Sequence, residues 1–186
     1  MKIHIAGPSG AGKTTIGNKL KEKFKNKIVV KDIDDLRSEF IKEFYGDIKW
    51  TVIDKKAFQK YIDDYIEKIK KPLILTGLNI MPWWHKNLYY DLHSDYKFYI
   101  EIDNDTLIKQ KCLRLLNDIQ SDKIAMDELV NDNQNFIKLF SKAIKVECDA
   151  KNIIKMNKKW NKDYKKQDYK FMSRENIFKQ VCKLLK

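Results

Sequence analysis

Residues 7–14 read Gly7-Pro8-Ser9-Gly10-Ala11-Gly12-Lys13-Thr14 and fit G-x-x-x-x-G-K-[ST] at every fixed position. The apolar run Lys2–Ala6 precedes them and reads as a strand. Ile16, Leu20 and Phe24 follow at four-residue spacing and predict a helix over Thr14–Lys25. A strand, a glycine-rich turn and a helix in that order aim successive backbone N–H groups at one point. The helix N-terminus adds partial positive charge there. The construction suits phosphate groups, and Gly7, Ser9, Gly10, Ala11, Gly12, Lys13, Thr14 and Thr15 are its candidate contacts. Lys13 can reach the β- and γ-phosphates of ATP, and the Thr14 hydroxyl can ligate Mg²⁺. The plain alternative is a glycine-rich turn of no function, and the spacing and context weigh against it.

The rest of the composition narrows the class. With 186 residues, 43% hydrophobic and 34% charged, the chain is expected to form one globular domain over 1–186. No apolar run approaches the ~18 residues of a membrane span, and the start MKIHIAGPSG is too short in apolar residues for a signal peptide. Cys112, Cys148 and Cys182 are odd in number and widely spaced, which makes neither a disulfide framework nor a zinc pattern. The expectation is a cytoplasmic, reducing compartment, with no membrane partner.

The formal charge is +12, and it is uneven. Residues 1–31 carry eight basic and one acidic side chain, and 151–186 carry twelve and three, around a mildly acidic middle. Only Arg37, Arg114 and Arg174 among the 38 basic residues are arginine, the planar fork that clamps phosphate. The excess invites a polyanion, and a general bias toward lysine explains it equally well.

Strand and helix signals alternate along the chain. Further strands are expected at Ile28–Lys31, Pro72–Thr76, Tyr96–Ile102 and about Tyr169–Met172. Helices are expected at Asp35–Phe44, within 52–70, from Asp103 or Asn104 to about Leu116, through Leu129–Ile144, and after Ser173. Residues 150–167 are Lys-rich without a clear period and read as a loop. Such alternation implies an α/β fold of three layers, a parallel sheet with helices on both faces, whose ligands sit beyond the carboxyl ends of the strands.

Each strand end then supplies candidates. After the second strand, in a turn expected to lie beside the phosphate loop, come Asp32, Asp34 and Asp35, then Arg37. Asp34 or Asp32 can take a proton from an attacking hydroxyl, and Asp34 can help hold Mg²⁺. If the strand continues, Asp32 and Asp34 point the same way. Arg37 can hold an acceptor phosphate. The alternative is that these acids only cap a helix, with equal weight for Asp35. After the third strand, Thr76-Gly77-Leu78-Asn79 carries no carboxylate, which argues against a motor or switch ATPase. Asn79, Trp83 and Trp84 are candidate acceptor contacts, with ordinary packing as the alternative for the tryptophans. After the fourth strand, residues 109–128 are a candidate lid, in which Arg114, with Lys111 beside it, can stabilise the transferring phosphoryl group. The Lys-rich tail with Trp160, Tyr164 and Tyr169 can track a nucleic-acid strand, cover adenine, or be a solvated loop.

With these pieces in place the chain resembles the P-loop kinases of the adenylate kinase and shikimate kinase type. Asp32-Ile33-Asp34 is similar to the shikimate kinases' D-x-D, and Asp34-x-Leu36-Arg37 to an adenylate kinase segment whose arginine meets nucleotide phosphate. Asp34-Asp35-Leu36-Arg37 and Leu78-Asn79 look like segments of polynucleotide 5′-hydroxyl kinases, in which the first acid serves as base. The resemblance implies about five parallel strands, a small lid, use of MgATP and transfer of its γ-phosphate to an acceptor. Two departures shape the acceptor. Three arginines are few for a pair of nucleotides, and the Asp-Gly-Phe-Pro-Arg of nucleoside monophosphate kinases is replaced by Thr76-Gly77-Leu78-Asn79. The expected enzyme is a kinase acting on a hydroxyl of a nucleoside, nucleotide or nucleic acid. The alternatives are a nucleoside monophosphate kinase, a small-molecule kinase of the shikimate or gluconate kind, and a non-catalytic nucleotide-binding protein.

Overall fold

The structure is a computed structural model that describes residues 1–46, 53–80, 89–120, 138, 140–142, 144–145 and 148–186. Five strands form one parallel sheet: β1 (Lys2–Ala6), β2 (Val29–Asp32), β3 (Leu73–Thr76), β4 (Tyr96–Ile100) and β5 (Lys170–Met172). Their spatial order is β2-β3-β1-β4-β5, so β1 is central, with β3 and β4 as its neighbours. The helices are α1 (Lys13–Phe24), α2 (Ile33–Tyr45), α3 (Lys55–Lys68), α4 (Asn104–Gln120), α5 (Ala150–Lys165) and α6 (Arg174–Leu184). The described chain falls into two compact units. The first comprises Met1–Gly7, Gly12–Glu101 and Asp168–Lys186; the second comprises Pro8–Ala11 and Ile102–Gln167.

In the first unit the helices follow their apolar stripes. Ile33, Leu36 and Phe40 on α2 and Phe58, Ile62 and Ile66 on α3 are buried together with Leu73 and Leu75 of β3 and with Tyr90. Their spacings of three and four residues put each set on one helix face. Side-chain caps set the helix starts: Asp32 Oδ1 accepts from Asp34 N at 3.0 Å, and Asp54 Oδ1 accepts from Ala57 N at 2.7 Å. In the second unit Asp103 and Asp149 do the same for α4 and α5.

Two expectations need correction. Residues 150–165 are a helix, not a loop. Ile153, Asn157, Trp160 and Tyr164 form its inward stripe, and two of those four positions interrupt an aliphatic pattern with an amide or an indole. The second strand does not end beside the loop that follows β1, because β3 lies between them. The ends of β1 and β2 are therefore about 10 Å apart, two strand spacings. Most of the helix expected through Leu129–Ile144, and the distal part of the candidate lid, lie outside the described residues.

The turn after β3 is fixed from two sides. His4, fully buried on β1, lies 3.1 Å from the Gly77 carbonyl through Nε2 and 2.5 Å from the Tyr169 hydroxyl through Nδ1. A carbonyl only accepts, so Nε2 carries the proton and Nδ1 accepts from Tyr169. Gly77 has φ +123°, and a Cβ there would stand 3.1 Å from both Asp32 Oδ1 and Ile33 Cβ. Gly77→Ala is expected to destabilise the fold by about 1–3 kcal/mol, read as a lower denaturant midpoint at unchanged slope.

His4 gives a pH signature. Burial pushes it from 6.5 to about 3; the Gly77 hydrogen bond opposes this, and the Lys13 and Lys97 charges add to it. Above 6.5 the imidazole is neutral folded or unfolded. Between there and about 3 only the unfolded chain takes the proton, so stability falls as pH falls. Chemical denaturation across pH is expected to show a slope up to about 1.4 kcal/mol per pH unit steeper in the wild type than in His4→Gln.

Candidate active site

Gly12 caps α1 in the left-handed region, with φ 84° and ψ 29°, and offers no side chain to the N–H groups of the first turn. No acid stands in that turn either. The positive end of the helix dipole is thus left for an anion. Lys13, the first helical residue, donates from Nζ to the Gly7 carbonyl at 3.0 Å. Thr14 and Thr15 follow it and are exposed. Ala11 N donates to Pro8 O at 3.1 Å, and Gly10 takes φ +91°. A Cβ at Gly10 would stand 3.1 Å from Lys111 Cγ, so the second glycine is needed for conformation and for room. Arg114 reaches the same segment, with Nη1 3.3 Å from Ser9 Oγ and Nε 3.5 Å from Asp118 Oδ2.

At the end of β2 the acids divide. The strand stops at Asp32, which becomes the N-cap of α2. Asp34 therefore lies on a helix and does not share a strand face with Asp32. Asp32 uses one oxygen for its cap and the other to accept from the Thr76 hydroxyl at 2.8 Å. Asp34 is 72% exposed and pairs with Arg37 Nη1 at 2.5 Å. Arg37 is largely buried, donates from Nη2 to Ile80 O at 3.1 Å, and has a buried Nε with no acceptor among the described residues. One exposed carboxylate and one guanidinium N–H without an acceptor among the described residues thus stand together after β2.

Asn79, a candidate acceptor contact, is engaged in a tie between two backbone segments. It is buried, and its amide donates to Tyr90 O at 2.7 Å while Tyr90 N donates to Asn79 O. It ties the turn after β3 to the segment before β4. Trp83 and Trp84 lie outside the described residues.

Sequence reasoning gave no role to Arg174 or His4. Arg174 opens α6 behind the Ser173 cap, and its Nη1 lies 2.7 Å from where a Cβ on Gly12 would stand. A lone arginine at a helix start after a strand end, in a chain with three arginines, was the available signal. For His4 the signal was a polar ring inside the apolar run of the central strand.

The donor set suits a nucleotide-borne magnesium ion. Thr14 and the carboxylates are hard oxygen ligands, and such an ion takes most of its ligands from phosphate and water. Among the described residues no group of three His, Cys, Asp or Glu side chains is gathered into a cage. No helix among them is long and apolar enough to cross a membrane.

No protein family matches the chain by sequence, and no curated protein does. Its backbone is similar to solved structures. Shikimate kinase from Bacteroides thetaiotaomicron matches with a TM-score of 0.54 at 18% identity, over 100% of this chain and 98% of that one. Shikimate kinase from Acinetobacter baumannii, solved in complex with shikimate, matches with a TM-score of 0.52 at 12% identity, over 99% and 92%. The chain has the parallel α/β fold of the shikimate-kinase-like P-loop kinases.

Proposed function

We propose that the chain transfers the γ-phosphoryl group of MgATP to a hydroxyl of a nucleoside, nucleotide or nucleic-acid acceptor. The observation that carries this reading is the pairing of two features in the first unit. A left-handed glycine cap opens a helix with no acid in its first turn, and an exposed Asp34 is paired with Arg37 just past the end of β2, two strand positions away in the same sheet. Gly7–Gly12 and the first N–H groups of α1 bind the phosphates. Lys13 leaves the Gly7 carbonyl to meet the β- and γ-oxygens. Thr14 directly, and Asp34 through water, would hold Mg²⁺, which would supply neutralising charge to the transferring group.

Asp34 is the preferred base because Asp32 is engaged in its cap and with Thr76. Asp34 takes the proton of the acceptor hydroxyl, whose oxygen forms a bond to the γ-phosphorus. The bond to the β,γ-bridging oxygen breaks, and ADP leaves with its electron pair. Arg37 orients the acceptor through its guanidinium, whose Nε–H has no acceptor among the described residues. Arg114 and Arg174, planar donors set against Ser9 and Gly12, stabilise phosphate charge.

A small-molecule hydroxyl is the second reading. A guanidinium edge such as that of Arg37 accepts a carboxylate as readily as a phosphate. The polynucleotide kinase resemblance rests on residues 34–37 and Leu78-Asn79 alone.

Acceptor-dependent release of ADP tests the assignment. Lys13→Ala is expected to abolish it. Asp34→Asn is expected to lower kcat by about 10²–10⁴ while ATP still binds. Full activity in Asp34→Asn would move the base to Asp32. Tight ATP binding with no acceptor-dependent ADP in the wild type would favour a non-catalytic nucleotide-binding protein.

A further inference from the structure

Helix α5 carries six lysines and one acid in sixteen residues, which makes it the most one-signed of the described helices. At about 100° per residue, Lys151, Lys155, Lys158, Lys162 and Lys165 fall within an arc of about 80°, with Lys159 just beside it. All six are exposed. Ile153, Asn157, Trp160 and Tyr164 occupy the opposite side, where Ile153, Asn157 and Tyr164 are buried. Lysines three or four apart on one face repel each other. None of Lys151, Lys155, Lys158, Lys159 and Lys162 forms an ion pair with a carboxylate among the described residues. Helix α3 carries four lysines but offsets them with Asp63, Asp64 and Glu67.

We propose that the exposed face of α5 binds the phosphate backbone of duplex nucleic acid without regard to base sequence. From Lys151 to Lys165 the five lysines of the stripe span about 21 Å, or about one charge per 5 Å. The phosphates along one strand of a duplex recur at about 3.4 Å, so a stripe of that length faces about six of them. The aromatic residues of α5 do not join the stripe: Tyr164 is buried, and Trp160 lies on the inward side. The face therefore offers no platform for stacking unpaired bases, and it reads charge only. A bilayer fits less well, because a membrane-surface helix inserts an apolar face and the apolar face of α5 is packed inward. The proposal does not rest on the kinase reading.

Fluorescence anisotropy of a labelled duplex of about 20 base pairs, titrated with the full chain between 50 and 200 mM salt, tests it. The expected log–log salt slope is about −4 to −5, equivalent to about five phosphates neutralised. Lys155→Glu, Lys158→Glu and Lys162→Glu combined are expected to weaken binding at least about tenfold and to flatten the slope by about 3. Circular dichroism and ATP affinity report whether that variant keeps its fold. Lys155→Gln, Lys158→Gln and Lys162→Gln combined serve in its place if it does not, with a smaller loss expected. A triple reversal on α3, Lys55→Glu, Lys56→Glu and Lys60→Glu, is expected to change binding less than about threefold. Three outcomes overturn the proposal: no duplex binding at 50 mM salt, equal losses from the α3 and α5 variants, or binding to phosphatidylserine vesicles that duplex does not compete away.

Discussion

Asp32 is the residue on which the arrangement after β2 and β3 depends. Its two oxygens serve three neighbours. One accepts the Asp34 N–H and starts α2; the other accepts the Thr76 hydroxyl at the end of β3. The carboxylate also packs against Gly77, where a side chain would collide with it. Because the strand becomes a helix at this residue, the exposed Asp34 sits on the first turn of α2, and the largely buried Arg37 pairs with it from the next turn. On the other side His4 holds the Gly77 carbonyl from within the sheet. A carboxylate with both oxygens engaged makes a good support and a poor base, which is why the exposed neighbour is the better chemical candidate.

The use of arginine follows the same logic. The chain has 38 basic residues, and three are arginine. Arg37 pairs with Asp34, Arg114 touches Ser9, and Arg174 lies against Gly12. Lysine supplies the remaining charge, including the one-signed face of α5, where a compact mobile charge is sufficient. The planar fork is kept for positions beside the phosphate motif and the acidic turn, where direction matters.

Much of this was legible in the sequence, for identifiable reasons. The glycine pattern fixes its own backbone, so Gly10 and Gly12 are left-handed as the motif requires. Lys2–Ala6 and Pro72–Thr76 read as strands because apolar runs bounded by glycine or proline leave few alternatives. Strand order was not legible, because it depends on which crossover packs where; the expectation that Asp34 stands next to the phosphate loop missed the intervening β3. Helix α5 was missed because Asn157 and Trp160 stand where an aliphatic residue would mark the stripe, and lysines fill the rest. Residue type marks Asn79 as a candidate ligand contact, and its tie between two backbone segments was not legible because it depends on which segments the fold brings together.

The central claim is phosphoryl transfer to a hydroxyl, and one measurement addresses it most directly. The chain is incubated with ATP labelled at the γ-phosphate and a set of nucleosides, nucleotides, 5′-hydroxyl oligonucleotides and hydroxylated small acids, with ATP labelled at the α-phosphate as control. The account predicts that label passes to an acceptor hydroxyl from the γ-position only. Label on no acceptor, from a chain that binds ATP tightly, would contradict it.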